Sequence, residues 1–196
     1  MLIETLSELT GVSEVRLRWI QSQASKMYKT YTIPKRSGGV REISQPTPEL
    51  KSIQRWIVWR IFSNLPVSDA ATAYKRGASI KLNAEIHAKT SFTLHLDFES
   101  FFPSFSAQAV RVFLKNNTDL SVDDIWFCSS VITKSGNLTI GAPSSPAVTN
   151  AMMFDFDNRI KAICKEKDLV YTRYADDLNI SSTKYFPMQE IGRAHV

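Results

Sequence analysis

The chain has 196 residues, 43% hydrophobic and 22% charged, the proportions of a folded globular protein and not of a disordered one. Its formal net charge of +5 suits a polyanionic partner without specifying one. Two distant cysteines, Cys128 and Cys164, exclude a disulfide framework or a cysteine-rich metal site. The absence of a membrane-length apolar run or a signal-like N-terminus leads to the expectation of a cytoplasmic protein.

Residues 1–28 read as helical, interrupted at Gly11 and Ser13, which have the chemistry of a turn and a cap. The stretch has the length of a small helix-turn-helix. No basic recognition face follows, so a packed helical pair is expected. Tyr31 to Pro34 is extended, Ser37-Gly38-Gly39 is a turn, and Val40 to Ile43 alternates as a returning strand. Leu50, Ile53, Ile57 and Ile61 form one helical stripe, which stops near Pro66. Ser91 to Phe98 is a strand: Phe92, Leu94, Leu96 and Phe98 share one face, and Thr93, His95 and Asp97 the other. A helix is expected from about Ser106, and a long one after Gly141-Ala142-Pro143-Ser144-Ser145-Pro146, running to about Lys167. Two strands between Leu169 and Ser182 meet at Ala175-Asp176-Asp177. The closing Ile191-Gly192-Arg193-Ala194-His195-Val196 looks like a translated sequencing adapter. It is set aside from fold reasoning, and the natural protein is expected to be longer.

Tyr174-Ala175-Asp176-Asp177 puts two adjacent carboxylates at a hairpin tip. Like charges side by side repel unless a cation neutralises them, and hard carboxylate oxygens suit magnesium. Alone, these residues describe a solvated acidic turn equally well. Asp97 alters the weighing, because it ends an apolar strand on that strand's polar face. Three carboxylates brought together are what is needed to clamp two divalent metals roughly 3.5–4 Å apart for in-line phosphoryl displacement. His95 shares the Asp97 face and is read as a neighbour, not a ligand. Glu99 is read as solvated or paired, and Asp155 and Asp157 as structural residues of an amphipathic helix.

Five segments then fall in one order: Tyr31 to Ile43, Asn83-Ala84-Glu85-Ile86-His87, Leu94 to Phe105, Gly141 to Pro146, and Tyr174 to Asp177. Together they resemble reverse transcriptases, most closely the bacterial retron type, over about Tyr31 to Ser182. The resemblance implies an α/β (α+β) right-hand palm-and-fingers fold, with an antiparallel palm sheet backed by helices and no thumb in this chain. It divides the chain into an N-terminal helical segment (1–30), fingers (31–90), and a palm with a returning fingers segment (91–190), followed by the adapter-like end (191–196).

It also implies roles. Asp97, Asp176 and Asp177 hold two Mg2+ ions, for which Mn2+ can substitute, with help from the Phe98 backbone carbonyl. Arg41 and Lys35 reach the triphosphate, although a basic solvated hairpin explains them as well. Phe102 stacks under the sugar, with Phe101 beside it a core aromatic. Gly141 lets the backbone approach the base pair, while Ile140 stands where many relatives have glutamine. Asn83 and His87 belong to an RNA-binding or structural surface typical of retron enzymes. The implied activity is RNA-directed DNA synthesis from deoxynucleoside triphosphates. Its template and primer would be a structured noncoding RNA, in a phage-defence system with an effector or toxin protein as partner. Two alternatives stay open: a group II intron or diversity-generating enzyme, which Asn83 to His87 argues against, and a catalytically silent RNA-binding scaffold.

Overall fold

The computed structural model describes residues 1–35 and 38–187. In chain order the elements are α1 (Leu2–Thr10), α2 (Glu14–Gln23), β1 (Tyr28–Pro34), β2 (Val40–Pro46), α3 (Pro48–Arg60), α4 (Ile80–His87), β3 (Phe92–Asp97), α5 (Phe101–Ser104), α6 (Ala107–Asn117), α7 (Val122–Ile132), α8 (Ser145–Met152), α9 (Phe154–Glu166), β4 (Val170–Tyr174) and β5 (Asp177–Ser182). The fold is of the expected α+β class, with antiparallel strand pairs and helices. Ser37 of the predicted turn and the terminal hexapeptide lie outside the described residues. No helix among those described is long and apolar enough to cross a membrane. The described residues form two compact units, each built from two stretches: those of Met1–Leu65 with Phe102–Thr149, and those of Pro66–Phe101 with residues 150–187.

In the first unit, the break between α1 and α2 follows the local chemistry. Gly11 adopts φ 70° and donates its N–H to the Ser7 carbonyl, and Ser13 caps α2 by accepting from the Arg16 N–H. The core gathers on α7, which packs against α1, α2, α3 and α6 and buries Phe127, Cys128, Val131 and Ile132. The sequence reading gave no separate helix here. Because α7 is enclosed on several sides, VDDIWFCSSVI shows no narrow apolar stripe to detect. Its start is tied down by Asp124, which accepts from the Leu2 N–H at 2.7 Å and the Ser121 hydroxyl at 2.8 Å. Gln54, fully buried on α3, donates to the Tyr28 hydroxyl and the Val131 carbonyl, both at 2.8 Å. Burial pushes the Tyr28 hydroxyl up to about 12. The β1–β2 pair forms a sheet of its own.

The second unit is a three-stranded sheet in the order β3-β5-β4, with α9 over one face. Cys164, Phe156 and Ile160 of α9 meet Tyr171, Leu178 and Ile180 of the sheet in one apolar cluster. The long helix expected after Pro146 is broken at Met153, giving α8 and α9. The apolar face assigned to β3 is only partly used. Leu94 and Phe98 pack on the cluster, while Phe92 and Leu96, on an edge strand, remain 42% and 37% exposed.

Candidate functional site

The sheet register carries the carboxylates to one end. Asp97, the last residue of β3, lies directly opposite Asp177, the first residue of β5, and Asp177 also faces Tyr174 of β4. The Phe98 N–H donates to the Asp176 carbonyl at 3.1 Å, so the turn is stitched to the end of β3 by main chain. Asp177 has its proton affinity raised, first by burial and then by the Asp176 and Asp97 carboxylates, against an opposing pull from His95. The His95 ring lies with Nε2 3.3 Å from an Asp177 carboxylate oxygen and Nδ1 3.0 Å from the Asn179 side-chain oxygen. Sequence reading placed His95 nearby; its contact with Asp177 depends on the cross-strand pairing of His95 with Asn179, which no local pattern shows.

Three carboxylates at one sheet end are hard oxygen donors, and a divalent cation would offset the charge that Asp176 and Asp97 impose on Asp177. As they stand, no three His, Cys, Asp or Glu side chains among the described residues are grouped to hold a metal ion. The donor chemistry therefore fits, without a closed ligand shell.

Beneath the turn is a buried polar network. Arg173 of β4 is fully buried and paired with the fully buried Asp157 of α9. Its Nε donates to Asp157 at 2.9 Å and its Nη2 to the other carboxylate oxygen at 2.8 Å. Nη2 also reaches the Asn150 side-chain oxygen at 3.1 Å, and Nη1 the Ala175 carbonyl at 2.8 Å. The Tyr171 hydroxyl donates to Asp157 at 2.8 Å; burial, and then the Asp157 charge, hold its pKa far above the ordinary range. Ala175 itself sits at φ 59°, a left-handed conformation that costs a residue with a Cβ about 1–2 kcal/mol. Asp157 was expected to be structural, and it is structural for the carboxylate turn. The available signal was an arginine inside an otherwise strand-like run, two residues before that turn.

The remaining predicted residues are placed as follows. Asn83 and His87 of α4 turn onto the sheet. The Asn83 oxygen accepts from the Thr72 and Thr172 hydroxyls at 2.8 and 2.6 Å. Since the Thr172 proton is committed there, His87 Nε2, 2.7 Å away, must be the donor to Thr172. His87 Nδ1 then accepts from the Ser181 hydroxyl at 2.6 Å. Burial lowers the His87 pKa, consistent with this neutral ring. Gly141, at φ 106°, approaches β2: a Cβ built there would lie 2.9 Å from Ile43 Cγ2 and 3.0 Å from the Ser44 carbonyl. Alongside it, the Ser44 N–H donates to the Ile140 carbonyl at 2.8 Å. Phe101 is buried and stacked on Phe98 at 5.6 Å, as expected of a core aromatic, and Phe102 is half-buried. Lys35 and Arg41 are exposed at the open end of the β1–β2 pair. Among the described residues, neither forms an ion pair with a carboxylate.

Residues 33–194 match the family described as reverse transcriptase (RNA-dependent DNA polymerase), and the chain belongs to that family. Among individual proteins it is similar to the retron Ec83 reverse transcriptase of Escherichia coli, 38% identical over 185 residues, which cover 90% of this chain and 58% of the relative. It is similar also to the retron Mx162 reverse transcriptase of Myxococcus xanthus, at 34% identity over 92% of this chain and 42% of the relative. A third relative is the retron Ec86 reverse transcriptase of Escherichia coli, at 35% over 92% and 57%. The chain thus spans roughly half the length of these relatives.

Proposed function

We propose that the protein containing this chain is an RNA-directed DNA polymerase of retron type, and that Asp97, Asp176 and Asp177 are its metal-binding carboxylates. The observation that carries this reading is the pairing of Asp97 with Asp177 at the sheet end, with Asp176 tied to Phe98. Bound Mg2+ would activate the primer 3′-hydroxyl and neutralise the triphosphate and leaving pyrophosphate. The chain's own contribution is to bring the carboxylates to one end of the sheet, where a bound cation would favour their ionised form. It would also receive the triphosphate with Arg41 and Lys35, whose side chains are not committed to a carboxylate among the described residues. Phe102 supports the sugar and discriminates against a 2′-hydroxyl.

The template and primer are a structured noncoding RNA, and the product is RNA-linked single-stranded DNA used in phage defence with an effector protein. Asn83 and His87 serve by fixing α4 to the sheet, and RNA contact comes from the α4 surface that this docking leaves outward. The Gly141 loop supports the templating base pair through its clasp on β2. The test is primer extension by the full-length protein. Asp97→Asn or Asp176→Asn should lower the rate by at least about a hundredfold, since even the outer partners of a metal site cost 10–100-fold. Phe102→Ala should raise ribonucleotide incorporation relative to deoxynucleotide. Wild-type extension by both aspartate variants overturns the metal reading. RNA binding without extension by the wild type would instead indicate a silent scaffold.

A further inference from the structure

We propose that Arg173 is a positioning residue for the carboxylate turn: clamped by Asp157 and Asn150, its guanidinium fixes the Ala175 carbonyl and thereby sets the aim of Asp176 and Asp177. The inference rests on the metal-binding reading given above.

All three nitrogens of the guanidinium are engaged. Two of its nitrogens grip Asp157, one of these also reaches Asn150, and the third donates to Ala175. The clamp is anchored elsewhere in its own unit. The Tyr171 hydroxyl holds Asp157, and the Asn150 amide donates to the Ala73 carbonyl at 2.9 Å. The Arg173 main chain is pinned as well, its N–H to the Ala70 carbonyl at 2.8 Å and its carbonyl to the Thr72 N–H at 2.7 Å. What this rigid group holds is the peptide between a left-handed alanine and Asp176. Left-handed backbone is disfavoured for alanine and persists only where its surroundings hold it. A carbonyl fixed on one side of Asp176, and the Asp176 carbonyl fixed by Phe98 on the other, leave this acidic residue little freedom to rotate.

A charge pair used for stability alone would not need this geometry. Buried ion pairs are replaceable by apolar side chains with little loss of stability, and an apolar replacement would leave the Ala175 carbonyl unheld. The planar fork is also what lysine lacks. An ammonium can remain beside Asp157 but cannot span Asp157, Asn150 and the Ala175 carbonyl together.

The test measures Mn2+ binding to the purified chain by electron paramagnetic resonance, beside thermal unfolding of the same samples. Arg173→Lys and the apolar pair Arg173→Met with Asp157→Leu should each weaken Mn2+ binding about tenfold at temperatures where the protein is folded. Lysine should not restore it. Asn150→Ala, which leaves the ion pair in place, should weaken it about two- to threefold and covers the case in which the other variants do not fold. Asp176→Asn serves as the reference. If Asp176→Asn loses Mn2+ affinity while the folded Arg173 and Asn150 variants bind as wild type and differ only in melting temperature, the clamp is structural and the positioning role is wrong. If Asp176→Asn itself binds as wild type, the carboxylate assignment fails and the positioning role falls with it.

Discussion

Two hairpins in this protein share an antiparallel register and little else. β1 and β2 pair over seven residues each, yet almost every β1 side chain is exposed, Tyr31 and Ile33 at 41% and Val40 of β2 at 64%. Burial begins only near the root, at Ser44 and Pro46, where the Lys134 ammonium donates to the Thr30 and Ser44 hydroxyls at 2.6 and 2.9 Å. β4 and β5 are shorter, but Tyr171, Thr172, Arg173, Leu178, Ile180 and Ser181 are all buried, and a third strand completes the sheet. A two-stranded ribbon is marginal by itself, so the first hairpin is held from its base and leaves its outer side chains, Lys35 and Arg41 among them, exposed. The second is held along its whole length and delivers two carboxylates at a fixed place. The contrast teaches that anchoring pattern, not strand pairing, separates a hairpin fixed only at its root from one fixed along its whole length.

The sharpest way to break this contrast is truncation in each hairpin. Ile180→Ala should cost about 2–5 kcal/mol, as buried isoleucine deletions do, and Ile33→Ala within about 0.5 kcal/mol, as exposed changes do. Denaturant unfolding of the two variants measures it, and equal costs would dissolve the distinction. Next in size is the root of the first hairpin. Gly141→Ala forces a Cβ into Ile43 and the Ser44 carbonyl at positive φ and should cost about 1–3 kcal/mol. Gly38→Ala, also at positive φ but with nothing within 4 Å of its Cβ, should cost only the backbone strain, about 1 kcal/mol. Thermal melts of the pair test whether the anchor is where the structure puts it.

A smaller effect concerns charge at the aimed tip. The raised Asp177 pKa means that the folded state favours the protonated carboxyl. The associated stability is present in acid and is lost as pH rises through the carboxylate range. Without metal, Asp177→Asn should therefore be more stable than wild type near pH 7 by about 0.2–1 kcal/mol, the scale of a cross-strand like-charge pair. The advantage should vanish toward pH 3; one that persists in acid would contradict the assignment. The smallest effect is at His87. Its pKa is lowered by burial, so the stability it lends is present above the ordinary histidine range and is lost as pH falls through its depressed value. Amide exchange in α4 should accelerate there before exchange in β5 does, and His87→Gln should remove that pH dependence.

Much of this was readable in one dimension. Gly11, Ser13 and Ser106 act locally, so the ends they mark could be inferred without a fold. Asp97 at a strand end and Asp176-Asp177 at a turn predicted a meeting, because antiparallel pairing leaves few other places for them. What stayed hidden depends on enclosure. α7 has no stripe because it has no single buried face. The break at Met153 lies inside an unbroken helical pattern. Asn83 and His87 could be recognised as a pattern, but only the sheet's hydroxyls, Thr172 and Ser181, decide which way they turn. Arg173 looked like one of many basic residues until its burial against Asp157 was visible.

The register of β3 also sets a clock on synthesis. His95 meets Asn179, a residue 84 positions further along the chain. At typical elongation rates of about 5–20 residues per second, β3 waits roughly 4–17 s after it is made before β5, its partner among the described strands, exists. During that interval Phe92, Leu94 and Leu96 lack the strand that β3 pairs with, and the carboxylate end of the sheet has only Asp97 of its three aspartates. The newborn chain is thus most open to capture by chaperones, or by another copy of itself, between the appearance of β3 and the closing of β5.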